Sequence, residues 1–206
     1  MKFKLTHGMG NKKVKKIVVV PYTLDWANEF EKLKSVFQDY LKTLICNIEH
    51  VGSTAVPGLS AKPIIDIDII ISNKKKFDEI KSILRKLGYT YSGEMGIPGR
   101  EAFKRDDQLT PMDGSGYYWH EHHLYVCVED SESLKNHLLL RDYLHANLNE
   151  AQDYGRLKTE LAGKYPDDID HYVEGKTAFI LQILKKSGFD QEVLSQIEVQ
   201  NKAMKL

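Results

Sequence analysis

Residues 49–68 read EHVGSTAVPGLSAKPIIDID. The stretch opens on a turn where Gly52, Ser53 and Thr54 stand together. It closes on two aspartates set one residue apart. The run continues as IIDIDIII over 64–71, β-branched wherever it is not acidic, which is the composition of a strand. Side chains alternate across a strand, so Asp66 and Asp68 share one face and Ile65 and Ile67 the other. Two carboxylates this close repel, and one takes up a proton unless a cation lies between them. Hard oxygen ligands placed in this way suit magnesium, with phosphate oxygens and water completing the shell. An edge strand with one wet face explains the pair equally well, because two spaced aspartates alone are a weak signal. The preceding turn shifts the balance. Gly52 and Ser53 offer backbone N–H and a hydroxyl to phosphate oxygens.

The chain has 206 residues, enough for one core with a helical annex and too short for two large domains. With 42% apolar and 28% charged residues it reads as a soluble globular protein. The formal net charge is zero, so nothing global argues for nucleic acid or an anionic membrane. No helix-hairpin-helix pattern or basic stripe suits a duplex either. Cys46 and Cys127 form no CxxC pair and read as buried free thiols of a reducing, cytoplasmic compartment. The first sixteen residues, MKFKLTHGMGNKKVKK, lack the apolar segment of a signal peptide, and Lys12 to Lys16 reads as a solvated lead-in. No apolar run approaches the ~18 residues of a membrane span.

Hydrophobic periodicity gives a coarse order of elements. IVVV at 17–20 reads as a strand ended by Pro21. Trp26, Phe30, Leu33, Phe37, Tyr40 and Leu44 predict an amphipathic helix lying on a sheet, capped by Thr23 or Asp25. Strands follow at 46–51 and 64–71, then a helix over 74–87 stopped by Gly88. Residues 89–105 predict a strand or hairpin broken by GEMGIPGR, 106–119 a polar loop, and 122–128 a further strand. Beyond Glu129 leucines recur at helical spacing. Further helices are expected over about 150–162 and 171–186, with a short helix or frayed end after Gly188. The expected organisation is an α/β core over 15–130 and a helical region over 131–200 packed on it.

Gly52-Ser53 followed by Asp66-Ile67-Asp68 resembles the signature of the nucleotidyltransferase superfamily related to DNA polymerase beta. More closely, IEHVGSTAVPGLSAKPIIDIDI resembles the GrpB family, whose members share that superfamily's fold. The resemblance continues through GREAFKR (99–105), HHLYV (122–126), LLLRDYL (138–144), YGRLKTELA (154–162) and YVEGKTAFI (172–180). It covers about residues 15–185.

The resemblance implies an α+β fold: a nucleotidyltransferase-like mixed sheet with flanking helices, followed by a helical region. It implies that Gly52 and Ser53, helped by Thr54, contact a triphosphate, and that Asp66 and Asp68 bind Mg2+ as catalytic carboxylates. The expected reaction transfers a nucleoside monophosphate from a nucleoside triphosphate to a small-molecule acceptor, expelling pyrophosphate. A third superfamily carboxylate corresponds to the strand HHLYV, which offers His123 and Tyr125 on one face. Relatives resemble a histidine-x-histidine there, so Tyr125 departs from the pattern. His123, Glu121 or Glu49 could supply the remaining ligand, or His123 a base. His120 and His122 are weaker candidates, placed by alternation or position toward solvent.

Polyphosphate needs cations. Arg100, Arg141 and Lys176 fall in family-like motifs and, together with Lys62 just after the loop, are the candidate phosphate ligands, with Arg105 and Lys158 behind them. Each competes with a snorkelling side chain, and Arg141 with a bridge between the two halves. Asp167, Asp168 and Asp170 read as a helix-start cap. A module that binds a nucleotide or phosphometabolite without turnover is the alternative function. Hydrolysis or phosphotransfer with His123 as base is a third.

Overall fold

The computed structural model describes residues 16–189 and 191–203, so the basic lead-in from Lys12 lies outside the described residues except for Lys16. Its centre is a five-stranded mixed sheet in the order β1-β2-β5-β4-β3, built from β1 (Asn47–Val51), β2 (Ile65–Ile71), β3 (Tyr89–Gly93), β4 (Arg100–Arg105) and β5 (His122–Val128). β2 runs antiparallel to β1 and parallel to β5, and β4 and β3 complete an antiparallel edge.

One face of β2 explains the register. Ile65, Ile67, Ile69 and Ile71 are all buried against helices α1 (Asp25–Leu41) and α2 (Phe77–Lys86). Each such side chain contributes about 2 kcal/mol on burial, and a one-residue slip would drive two carboxylates into that core instead. α1 supplies Trp26, Phe30, Leu33, Phe37 and Leu41, an i, i+4, i+7 stripe. Tyr40, expected on that stripe, is exposed, because helical rotation brings Leu41 inward in its place. The Thr23 hydroxyl accepts from Asp25 N–H at the helix start.

The opposite sheet face carries Asp66, Asp68 and Ile70 on β2, with His123, Tyr125 and Cys127 beside them on β5. Helix α3 (Glu132–Ala146) packs on it, α4 (Leu148–Lys164) and α5 (Ile169–Lys186) pack on α3 and on each other, and α6 (Gln191–Ala203) packs on α5. Leu134 and Leu138 of α3 pack on Ile70 and Cys127. The loop after β1 is clamped between layers, Val56 and Leu59 packing with Leu144, Ala151, Tyr154 and Ile183. Asp168 caps α5 by accepting from His171 N–H.

Three expectations need correction. Residues 17–20 form no strand beyond a single bridge from Val20 to Ala61. Ile17 packs instead with Ala162 and Tyr172, and its N–H donates to Pro166 C=O, so the β-branched run serves the helical layer. Cys46 is exposed, because it precedes β1, while Cys127 is buried. His122 is buried and not solvent-facing, since β5 begins one residue before His123 and turns His122 to the α1/α2 side. Among the described residues no helix is long and apolar enough to cross a membrane.

Candidate functional site

The parallel register sets Asp66 against His123 and Asp68 against Tyr125. His123 Nδ1 lies 2.9 Å from Asp66 Oδ1, and His137 Nδ1, reaching down from α3, lies 2.8 Å from Asp68 Oδ2. An ionised carboxylate only accepts, so in each pair the ring N–H donates. The mutual repulsion foreseen for the aspartates is therefore relieved by a separate histidine for each. Burial alone would raise the Asp66 pKa. The His123 bond and the charges of His123, His137 and Lys62 more than reverse this and hold it below the usual carboxylate value. For His137 burial favours the neutral ring, but the charge of Asp68 and the bond to it outweigh burial and raise its pKa. Asp68 is fully buried, and its Oδ1 has no hydrogen-bond partner.

Gly52 stands directly against this pair. Its φ is +71°, and a Cβ built there would lie 2.4 Å from Asp66 Oδ2. No other residue fits, on both conformational and steric grounds. Ser53 begins a single 3-10 turn (Ser53–Ala55) immediately beside it. Thr54 turns inward: it is buried, with its hydroxyl 3.0 Å from His50 Nε2 and 3.4 Å from Ile64 C=O. Gly52 thus meets Asp66, with Ser53 next to it in the turn, whereas Thr54 holds the turn from below.

The expected cations separate into two groups. Arg141 is engaged in structure: it donates to Glu49 Oε2 at 2.6 Å, to Asp142 Oδ1 at 2.7 Å and to His50 C=O at 3.0 Å, tying α3 to β1. Glu49 lies across from Asp68 in the β1–β2 register, yet its Oε2 faces this guanidinium. Arg105 donates to the carbonyls of Asp107, Trp119 and His120 and pins the polar loop. Arg100 is buried on the aspartate face of β4 with its guanidinium 4.5 Å from the Tyr125 ring centre, and its Nε has no partner. Lys62 and Lys176 lie over the ring of Tyr172, at 5.8 and 4.5 Å, and both act electrostatically on Asp66 or feel its charge. Lys176 is lowered to about 8, chiefly by burial and then by Lys62.

His137 escapes the sequence reading, and Lys158 stands there only behind the leading candidates. His137 was not singled out, although Arg141 one turn later on the same helix face was; that i, i+4 spacing was the available signal. Lys158 ranked low, yet it is 2% exposed, has no partner for Nζ, and sits 4.5 Å from the Tyr154 ring centre. Desolvation, helped by Lys176, lowers its pKa to about 6. Tyr125 is partly buried, and its pKa is raised, by desolvation first and then by Asp66. A recess of about 390 Å³ opens beside this region, between the loop at Gly58 and Ser60 and α4 residues Gly155, Arg156 and Thr159. It does not include the aspartates.

The donor set can be tested for a cation. Among the described residues no group of three or more His, Cys, Asp or Glu side chains is arranged to hold a metal ion. What is present is a carboxylate pair with one buried, unsatisfied oxygen. That fits a hard cation drawing its remaining ligands from a phosphate and water, and does not fit a site closed by protein ligands alone.

Comparison with known proteins agrees with the architecture. The model of the GrpB protein family matches residues 16–186. Protein YqkA of Bacillus subtilis is 33% identical over 166 residues, 81% of this chain but 46% of the relative, so the chain spans about half that relative's length. Glutamate-rich protein GrpB of Alkalihalophilus pseudofirmus is 30% identical over 171 residues, 82% of this chain and 95% of the relative. The chain is also similar to the crystal structure of conserved protein GrpB from Enterococcus faecalis, with a TM-score of 0.70 and 34% identity over 87% of this chain and 98% of that one. A mixed sheet under a helical layer, matched in sequence and in three dimensions across most of its length, places this chain in the GrpB family.

Proposed function

We propose that this protein is a cytoplasmic, magnesium-dependent nucleotidyltransferase built on a nucleotidyltransferase-like α+β fold. It would transfer a nucleoside monophosphate from a nucleoside triphosphate to a small-molecule acceptor. The observation that carries the reading is the contact of Gly52 with Asp66: the turn suited to phosphate and the carboxylate suited to a cation meet at one point. Asp66 and Asp68 would hold Mg2+, which supplies charge neutralisation on the attacking and leaving oxygens. The core over 15–130 contributes Gly52, Ser53 and both carboxylates. The helical region over 131–200 contributes Lys176 to the same side.

The chain's own groups have definable tasks. Ser53 and the Gly52–Ser53 backbone orient the triphosphate, and Arg100 and Lys176 offset its charge. His123, half exposed and oriented through Nδ1 by Asp66, would take the proton of the acceptor hydroxyl at Nε2. The acceptor oxygen bonds to the α-phosphorus while the bond from that phosphorus to pyrophosphate breaks. A non-catalytic nucleotide-binding role is favoured by a different observation, namely that His123 and His137 already compensate both aspartates.

Calorimetric titration of each nucleoside triphosphate, with and without Mg2+, against wild type and Asp68→Asn tests the reading. Magnesium-dependent binding that the variant loses, with pyrophosphate released when acceptors are added, supports transfer. Binding without pyrophosphate release supports the non-catalytic role. No triphosphate binding under any condition overturns both.

A further inference from the structure

We propose that His137 is a positioning residue of the cation site: its Nδ1–H holds Asp68 Oδ2 and so aims Oδ1 of the same carboxylate at Mg2+. The presence of the cation rests on the nucleotidyltransferase reading. The role of the histidine rests on the geometry of α3 and of the two carboxylates.

The two aspartates are arranged alike. Asp66 Oδ1 accepts from His123, and its Oδ2 is set against Gly52. Asp68 Oδ2 accepts from His137, and its Oδ1 is buried with no hydrogen-bond partner. Each carboxylate thus has one oxygen tied by an imidazole and a second that no histidine holds. A bond serving only to join α3 to the sheet gives no reason to strand an acceptor beside it, since buried polar atoms are normally satisfied. The neighbours across the strands leave Oδ1 bare. Glu49, opposite Asp68 on β1, is itself an acceptor and takes Asn47 and Arg141 as its donors. Tyr125, opposite on β5, makes no bond to it. A hard cation is the partner that suits a buried carboxylate oxygen left in this way.

Helix α3 fixes the histidine from both sides. At its start the Ser131 hydroxyl accepts from Leu134 N–H, and Leu134 and Leu138 pack on Ile70 and Cys127 of the sheet. One turn past His137, Arg141 donates to Glu49 and to His50 C=O on β1. The ring stands between these anchors with most of its side chain buried. A carboxylate held at 2.8 Å through Oδ2 cannot swing Oδ1 away without breaking that bond. Groups that hydrogen-bond a metal-ligating side chain typically contribute roughly 10–100-fold to metal affinity. The ligand lies in the core and the residue that aims it in the helical region, so the cation site needs both.

The test is titration of Mn2+, standing in for Mg2+, against the full chain, with free metal read by electron paramagnetic resonance and no turnover involved. Wild type is expected to bind Mn2+ and Asp68→Asn to lose it. His137→Ala, confirmed as folded by circular dichroism, is expected to bind roughly tenfold or more weakly. His137→Asn, whose side-chain amide can donate in place of Nδ1–H, is expected to restore most of that affinity. Leu33→Ala empties a fully buried position on the isoleucine face of the sheet, away from both aspartates, and is expected to lose stability but not Mn2+. In the wild-type chain, bound Mn2+ is expected to broaden the ring-proton resonances of His137, which tests the placement whether or not a variant folds. Sharp His137 signals with Mn2+ bound overturn the proposal. So does His137→Ala binding as tightly as wild type, His137→Asn binding no better than His137→Ala, or Leu33→Ala losing as much as either. In those cases loss of Mn2+ by Asp68→Asn still leaves the magnesium site standing. No Mn2+ binding by wild type removes the cation, and with it both the role of His137 and the magnesium-dependent reading.

Discussion

His137 Nδ1 lies 2.8 Å from Oδ2 of Asp68, a carboxylate with no exposed surface. This bond joins the helical layer to the central strand by an ion pair set among apolar contacts of Leu134, Ile70 and Cys127. Removing one partner of such a pair strands a buried charge.

His137→Ala is therefore expected to destabilise the fold by about 3 kcal/mol, leaving both Asp68 oxygens unbonded. Because the folded pKa of His137 is raised, its contribution is complete below the unfolded value of 6.5 and declines as pH rises through the folded value. Urea unfolding at a series of pH values would reveal it. A deficit that grows with pH would contradict this pairing.

Gly52→Ala should disturb both backbone and site. The φ of +71° costs an L-residue about 1–2 kcal/mol, and the new methyl would displace the Asp66 carboxylate. Most of the steric part should be relieved when Asp66 is shortened, since the carboxylate oxygen makes the closest approach. A double-mutant cycle with Asp66→Ala is expected to show a coupling of about 1 kcal/mol or more. Strict additivity would mean that the turn and the strand do not touch.

Two histidines on the other face of the sheet set an acid limit. His122 donates from Nδ1 to His120 C=O and accepts from the Tyr89 hydroxyl at 2.5 Å; burial first, then nearby positive groups, lowers it to about 3. His50 stacks on Phe30 and is lowered by burial to about 4. Both are neutral in the fold and protonate more readily unfolded, so stability is present above about pH 6.5 and lost toward pH 3. Melting temperature should fall across that window, less steeply in His122→Asn. Identical slopes would exclude His122 as a cause.

Lys158→Met should make the protein more stable. The native amine titrates near 6 and the unfolded one near 10.5, so across that window the unfolded chain binds the extra proton. Native stability therefore rises with pH through the window, and the cost of burying Lys158 is greatest at its acid end. Substitution is expected to gain roughly 2 kcal/mol or more at pH 7, the gain shrinking toward pH 10. Chemical denaturation at the two pH values decides it, and a destabilised variant would indicate an ammonium held by a partner.

Much of the frame was readable before any tertiary contact was known. IIDIDIII can satisfy a period of two only with its aspartates on one side, and α1 carries its stripe in plain spacing. Yet IVVV at 17–20 has equal strand character and no partner strand beyond one bridge, because pairing is non-local and the helical layer claims Ile17 first. Tyr40 and Leu41 are both apolar enough for the stripe, and packing decided between them.

The candidate site divides in the same way. Sequence by itself determined which residues share the face of β2 and that a glycine-serine turn precedes them, since strand alternation and chain order require no folding to read. Only the tertiary structure decided that Asp68 meets His137 rather than Glu49, that Arg141 is spent on Glu49, and that Lys158 is buried without a partner. The paired residues lie 69 and 92 positions apart, and the burial of Lys158 depends on how α4 packs in the helical layer. Local periodicity says which way a side chain faces within its own element; what it then meets is set by how the layers pack.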